Sequence, residues 1–156
     1  MATSTNIQYL VATAKDELGA TVSIKTASDR RQIETFLAGA AITAGDWVMF
    51  DTSATDAARV LTVIQATFAA TGQPLTVGVA LNAATVAGQT VDVVVSGYVE
   101  NANVADAVTV GQALSISAVN GRGAAAAATA VAQFCGVALE DGSAANQADV
   151  WVIKQF

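Results

Sequence analysis

Few side chains in this sequence could do chemistry, and the missing types decide more than those present. There is no histidine, which excludes a Ser-His-Asp triad, a Cys-His dyad, an imidazole metal ligand and a histidine pH switch. The single cysteine, Cys135, forbids an intrachain disulfide and a zinc site of clustered cysteines. It lies between Phe134 and Gly136 with no neighbouring base to form a thiolate, so it reads as a small buried residue. The best catalytic pattern is Val48-Met49-Phe50-Asp51-Thr52-Ser53. An apolar strand running into an Asp-Thr turn is how two aspartates come to share one proton in acid-catalysed peptide hydrolysis. Ser53 stands where that loop needs a glycine, and no second such loop follows. A strand ending at a polar turn is the plainer reading.

The remaining acids are equally uncommitted. Glu140-Asp141-Gly142 with Asn146 and Asp149 offers the oxygen ligands that calcium takes, but not at EF-hand spacing, and a hairpin turn accounts for it. Gly121-Arg122-Gly123 lacks the Lys-Ser/Thr and the helix of a phosphate loop, whereas Asn120-Gly121 is a strong turn dipeptide. Trp47, Trp151, Tyr9 and Tyr98 are too scattered to define a carbohydrate platform. We therefore expect no catalytic, cofactor-binding or metal-binding residues, and no enzyme.

Composition points to contacts with protein. The 156 residues are 53% hydrophobic and only 13% charged, about half the charge of an ordinary soluble domain. Mean hydropathy is +0.49, yet no apolar run reaches the ~18 residues of a membrane span. The start, MATSTNIQYL, has neither the basic nor the apolar region of a signal peptide. A net charge of −6 argues against nucleic acid and anionic membrane, both of which require clustered Lys and Arg. Residues 1–34 balance Lys15, Lys25, Arg30 and Arg31 against four acids, and the rest of the chain carries the whole net charge. Arg30-Arg31 is the only adjacent basic pair, readable as a solvated turn or as a contact to an acidic partner.

These residues must be positioned by short strands. Ile7, Tyr9 and Val11 alternate with polar neighbours, as do Val22 and Ile24, and period two reads as strand. Lys15–Gly19 reads as a turn. Asp29 with Gln32 resembles a capping box, and Ile33, Phe36 and Leu37 would share one face of a short helix stopped by Gly39. Further strands are expected at 47–51, 60–65, 75–81, 91–95, 113–117, 134–139 and 150–154. One helical turn fits 53–58, and 124–128 fits either a helix or a strand. This spacing predicts a mostly β protein, a compact β-sandwich or barrel, with an extended N-terminal arm. Gly78-Val79-Ala80-Leu81 recurs as Gly136-Val137-Ala138-Leu139, and the same step matches Gln89 with Gln147 and Val94 with Val152. Gly45-Asp46 before one strand is matched by Gly111-Gln112 before another. The expected organisation is an arm over 1–38, with short strands and a short helix, and a body over 39–156 made of two similar β units, about 42–99 and 108–156.

The repeat carries a resemblance. Ala40-Ala41-Ile42-Thr43-Ala44-Gly45-Asp46-Trp47-Val48, Val77-Gly78-Val79-Ala80, Ala87-Gly88-Gln89-Thr90-Val91 and Ser96-Gly97-Tyr98-Val99 resemble small capsid decoration (cement) proteins of tailed bacteriophages. Val110-Gly111-Gln112-Ala113 and Cys135-Gly136-Val137-Ala138-Leu139 repeat the pattern; Gln89, where glutamate is common, and Asn146, in place of glycine, depart from it. The resemblance covers about 38–156. It implies a non-enzymatic structural virion protein on the outer capsid surface, made in the host cytoplasm. Such a protein bridges major capsid subunits as its partners, stabilises the capsid and forms a dimer or trimer, a homo-oligomer. On that view Ile7, Tyr9, Val11, Arg30 and Arg31 are the capsid-binding arm residues, and the arm would add a strand to a capsid subunit's sheet edge. The alternatives are a retropepsin-like aspartic protease using Asp51 and a generic β-rich surface or adhesion module.

Overall fold

The computed structural model describes residues 11–15, 21–25, 31–68, 75–105, 108–126, 134–143 and 145–154, the first two segments by backbone alone. The protein is mostly β, a closed five-strand barrel with further strands, as the strand spacing predicts. Among the described residues, eleven strands and one 3-10 turn follow one another: β1 Val11–Lys15, β2 Thr21–Lys25, β3 Gln32–Ala38, β4 Trp47–Phe50, the 3-10 turn Asp56–Val60, β5 Thr62–Gln65, β6 Thr76–Ala80, β7 Thr90–Asn103, β8 Ala113–Ile116, β9 Gly123–Ala125, β10 Gly136–Ala138 and β11 Gln147–Val152.

Strands β1 and β2 pair antiparallel, Val11 opposite Lys25, as a two-stranded sheet of their own. The other nine form one sheet in the order β3-β5-β4-β6-β7-β11-β10-β8-β9, and β3 also pairs with β7. That pairing, from Gln32 against Ser96 to Leu37 against Thr90, closes β3-β5-β4-β6-β7 into a ring, barrel one. The long β7 then continues past Gly97 to open a second ring with β11, β10, β8 and β9. A parallel bridge from Val104 to Gly123, with the Ala105 N–H donating to Gly123 O at 2.7 Å, completes barrel two. One strand thus ends the first unit and begins the second.

Main-chain bonds repeat between the units. Gly45 N–H donates to Ala80 O and Ala80 N–H to Asp46 O, at 2.8 and 2.9 Å. The same two bonds join Gly111, Ala138 and Gln112 at 2.8 and 2.9 Å. Gly45 and Gly111 hold φ of 87° and 83°, a left-handed turn conformation that favours glycine. The strand pairings correct one residue match: Ala80 faces Val93 and Ala138 faces Val150, so Val94 corresponds to Trp151, not Val152. The turn into β11, where Asn146 takes φ of 57°, is one residue shorter than its counterpart.

Two apolar clusters form. The interior of barrel one holds Phe36, Ala38, Val48, Val63, Val77, Val91, Val93 and Val95, with Phe36 and Phe50 in edge contact at 6.0 Å between ring centroids. The second cluster contains the barrel-two interior, including Ala102, Leu114, Ile116, Cys135, Ala148, Val150 and Val152, together with Trp47, Val79 and Val94 from the outside of barrel one.

The helix expected from Asp29 onward is instead strand β3. Phe36 and Ala38 are buried at period two while Thr35 and Leu37 are exposed, and pairing with β7 overrides a local capping pattern. Residues 96–103, unassigned in sequence, extend β7 to 14 residues. No helix among the described residues is long and apolar enough to cross a membrane.

Candidate interaction surface

The barrel junction is built around two adjacent residues at the start of β4. Asp46 is 4% exposed and serves three donors. Its Oδ2 accepts from Thr43 N–H and Gln65 Nε2, both at 2.7 Å, and its Oδ1 from Asn103 Nδ2 at 2.8 Å. Thr43 and Gln65 belong to barrel one and Asn103 to the end of β7, so a buried carboxylate ties the two units through hydrogen bonds. Trp47, fully buried, lies against Gly123 and Gly136 of barrel two. A Cβ at Gly123 would stand 2.9 Å from Trp47 Nε1, and one at Gly136 2.9 Å from its Cη2. Those glycines are the hollow that takes the indole. Its N–H has no hydrogen-bond partner among the described residues, so the fit is one of shape.

Beside this junction a cleft of about 180 Å³ is lined by Gly45, Leu81, Val99, Glu100, Asn101 and Gln147, among others. Small-molecule sites run from about 300 Å³ upward, and no convergent reactive group enters this one.

The acids singled out in sequence are occupied with backbone and neighbours. Asp51 Oδ1 accepts from Ser53 N–H and Oγ–H at 2.9 and 2.6 Å. These bonds to Ser53 hold its carboxyl below the usual range, opposite to the raised value of a proton-sharing pair. Asp141 Oδ1 accepts from Val110 N–H at 2.8 Å, and Glu140 Oε1 from Asp149 N–H at 3.0 Å. Asp149 accepts from the Tyr98 hydroxyl and from Asn101 N–H. Burial, and then the Asp149 carboxylate, raise the Tyr98 phenol above its ordinary value. No group of three or more His, Cys, Asp or Glu among the described residues is placed to hold a metal ion. Cys135 is buried, its Sγ 3.4 Å from Leu114 O, and desolvation pushes its thiol up to about 12.

The arm residues fall in different places. Ile7, Tyr9 and Arg30 lie outside the described residues; Val11 opens β1. Arg31 Nε donates to Tyr98 O at 2.8 Å, which fastens it to the middle of β7. The structure adds a surface that the sequence did not single out: the outer face of barrel two. Tyr98, Trp151, Val137 and Ala113 stand opposite one another in a row across β7, β11, β10 and β8. The strict alternation Ala148, Val150 and Val152 in, Trp151 out was the signal for it.

No family model matches this chain, and no curated protein does. Among solved structures it is similar to the N-terminal base of the head fiber protein gp8.5 of bacteriophage phi29. The TM-score is 0.55 at 13% identity, over 79% of this chain and 94% of that one. At that identity the likeness is one of fold.

Proposed function

We propose that this protein is a non-enzymatic structural component of a phage virion that binds the outer surface of the capsid and stabilises it by bridging major capsid subunits. One observation carries the reading: its fold spans 94% of the base of a phage head fiber, a module whose own name places it on a phage head. The decoration-protein pattern in the sequence points the same way. The chemistry agrees, because the acids that suggested a protease or a cation loop are engaged in turns and strand ends. Strands β1 and β2 pair with each other. A lone two-stranded sheet is marginal in water, so this segment gains most from adding its strands to a sheet edge on the shell. Val11, with Ile7 and Tyr9 before it, supplies the alternating apolar side, and Arg30 the charge. The fastened Arg31 sets where the arm leaves the body.

The test is co-sedimentation with particles purified from a lysate of the source phage. A fixed ratio to the major shell protein that survives a high-salt wash is expected. Absence from particles would overturn the proposal. Deleting residues 1–28 is expected to weaken particle binding without unfolding the barrels.

A further inference from the structure

Asn120-Gly121 makes a turn, and it also carries a chemistry of its own. It is the only place in this chain where asparagine precedes glycine. With no Cβ on glycine to hinder approach, the Gly121 main-chain nitrogen is a nucleophile for Asn120 Cγ. The N–Cγ bond forms, the Cγ–Nδ2 bond breaks, and the Gly121 amide proton leaves with Nδ2 as ammonia. Water then opens the resulting succinimide to aspartate or isoaspartate, so the net change consumes one water and releases one ammonia.

Asn120 is exposed, yet Gly121 is buried and its nitrogen is engaged. Gly121 N–H donates to Ala66 O at 2.8 Å, and Gly121 O accepts from Trp47 N–H at 2.9 Å. Asn120 Oδ1 accepts from the Thr67 hydroxyl at 2.6 Å, which restrains the amide that must be attacked. The Asp46 carboxylate lies against the glycine, since a Cβ at Gly121 would stand 2.7 Å from Asp46 Oδ1. Attack requires the Gly121 nitrogen to lose its proton, and a neighbouring carboxylate opposes a second negative charge. Ala66, Trp47, Thr67 and Asp46 all belong to barrel one, whereas the dipeptide sits in the turn between β8 and β9 of barrel two.

We propose that Asn120-Gly121 is a deamidation site that the barrel junction keeps unreactive and that reacts when the junction opens. The reaction marks opening irreversibly. Isoaspartate adds one main-chain carbon before Gly121, so the glycine no longer meets Ala66 and Trp47 in register and the junction cannot reclose as before. Asp141-Gly142 supplies a contrast in the same chain. Its ring closure, with loss of water instead of ammonia, needs the Gly142 N–H, which donates to Val108 O at 2.8 Å without any group of barrel one.

The test ages the full chain at mildly alkaline pH, folded and in urea. Peptide mass mapping and isoaspartyl methyltransferase labelling then count the products at 120 and 141. Folded wild type should convert at 120 about tenfold or more slowly than the unfolded chain. Asp46→Asn should speed conversion at 120 in the folded chain by about fivefold or more and leave 141 as in wild type. If melting shows that variant unfolded, Thr67→Val replaces it and is read at the same two sites. Equal rates at 120 in the folded and unfolded chain would overturn the proposal. So would a folded variant that ages like wild type at 120, or one that accelerates both sites alike, because global stability would then set the rate.

Discussion

Barrel one fills its own interior and barrel two does not. Position by position, the strand pairings set Phe36 against Ala102, Val63 against Gly123, Val77 against Cys135 and Val91 against Ala148. Each of these four barrel-two residues is the smaller, although Leu114 stands where Val48 does, and Trp47 from barrel one packs into the space beside Gly123 and Gly136. Close packing is what makes a core stable, so the second barrel depends on the first for its filling. The difference teaches that a duplicated β unit need not be duplicated in its packing: sharing β7 and lending one tryptophan makes the pair a single body.

Removing the lent residue is the harshest way to break this asymmetry. Trp47→Ala should cost about 3–5 kcal/mol in urea or thermal unfolding, and Trp47→Phe much less, since the indole N–H has no partner to lose. Gly123→Val, which installs the barrel-one residue, should be as damaging alone because its side chain meets Trp47. Combined with Trp47→Ala it should cost less than the sum, with a coupling of about 1 kcal/mol or more in the double-mutant cycle; additive costs would mean the two do not share one space.

The polar junction comes next. Asp46→Ala strands donors on Thr43, Gln65 and Asn103, for about 2–3 kcal/mol by chemical denaturation. Its counterpart Gln112→Ala gives up the bond from Thr109 N–H at 2.8 Å and should cost about 1 kcal/mol. Equal losses would argue against a role for Asp46 between the barrels.

A smaller effect separates Cys135 from Val77. The folded thiol is pushed up to about 12 by burial, above the unfolded value near 8.5. The unfolded chain therefore releases its proton first, and stability unaffected below about pH 8.5 falls as pH rises toward 12. Cys135→Val should remove this part of the alkaline slope of Tm against pH, and Tyr98→Phe a further part above about pH 10, since its phenol is raised as well. A thiol reagent at pH 8 should label Cys135 only after unfolding.

The smallest effect belongs to Asp51. Asp51→Asn keeps an acceptor for Ser53 on an exposed turn and should shift stability by about 0.5 kcal/mol or less. It should also leave unchanged any proteolysis seen at acid pH, because an aspartate catalyst requires a proton-sharing partner.

Much of the fold was legible locally. The β class, most strand positions and the Gly45 and Gly111 turns follow from period-two burial and from turn residues, which depend on neighbours a few places away. Strand β3 was not legible, because Asp29 and Gln32 offer a helical start and only the distant β7 makes those residues a strand. The second half of β7 was missed for a related reason: Ser96 through Asn103 alternate weakly, and pairing with β11 holds them extended. As for the candidate surface, Trp151 and Val137 are ordinary strand residues in sequence. Their meaning comes from standing side by side, uncovered, where Val94 and Val79 are covered.

The sequence by itself determined which side-chain chemistry this chain lacks. With no histidine and one cysteine, it has no imidazole group and no intrachain disulfide, because those depend on which atoms exist. It also determined the β units, since alternation and turn residues act over short range. Only the tertiary structure decided that the two units share a strand, that Trp47 fills its neighbour, and which of two equivalent faces stays open. Those are facts of volume and contact between residues tens of positions apart, and no local pattern encodes them.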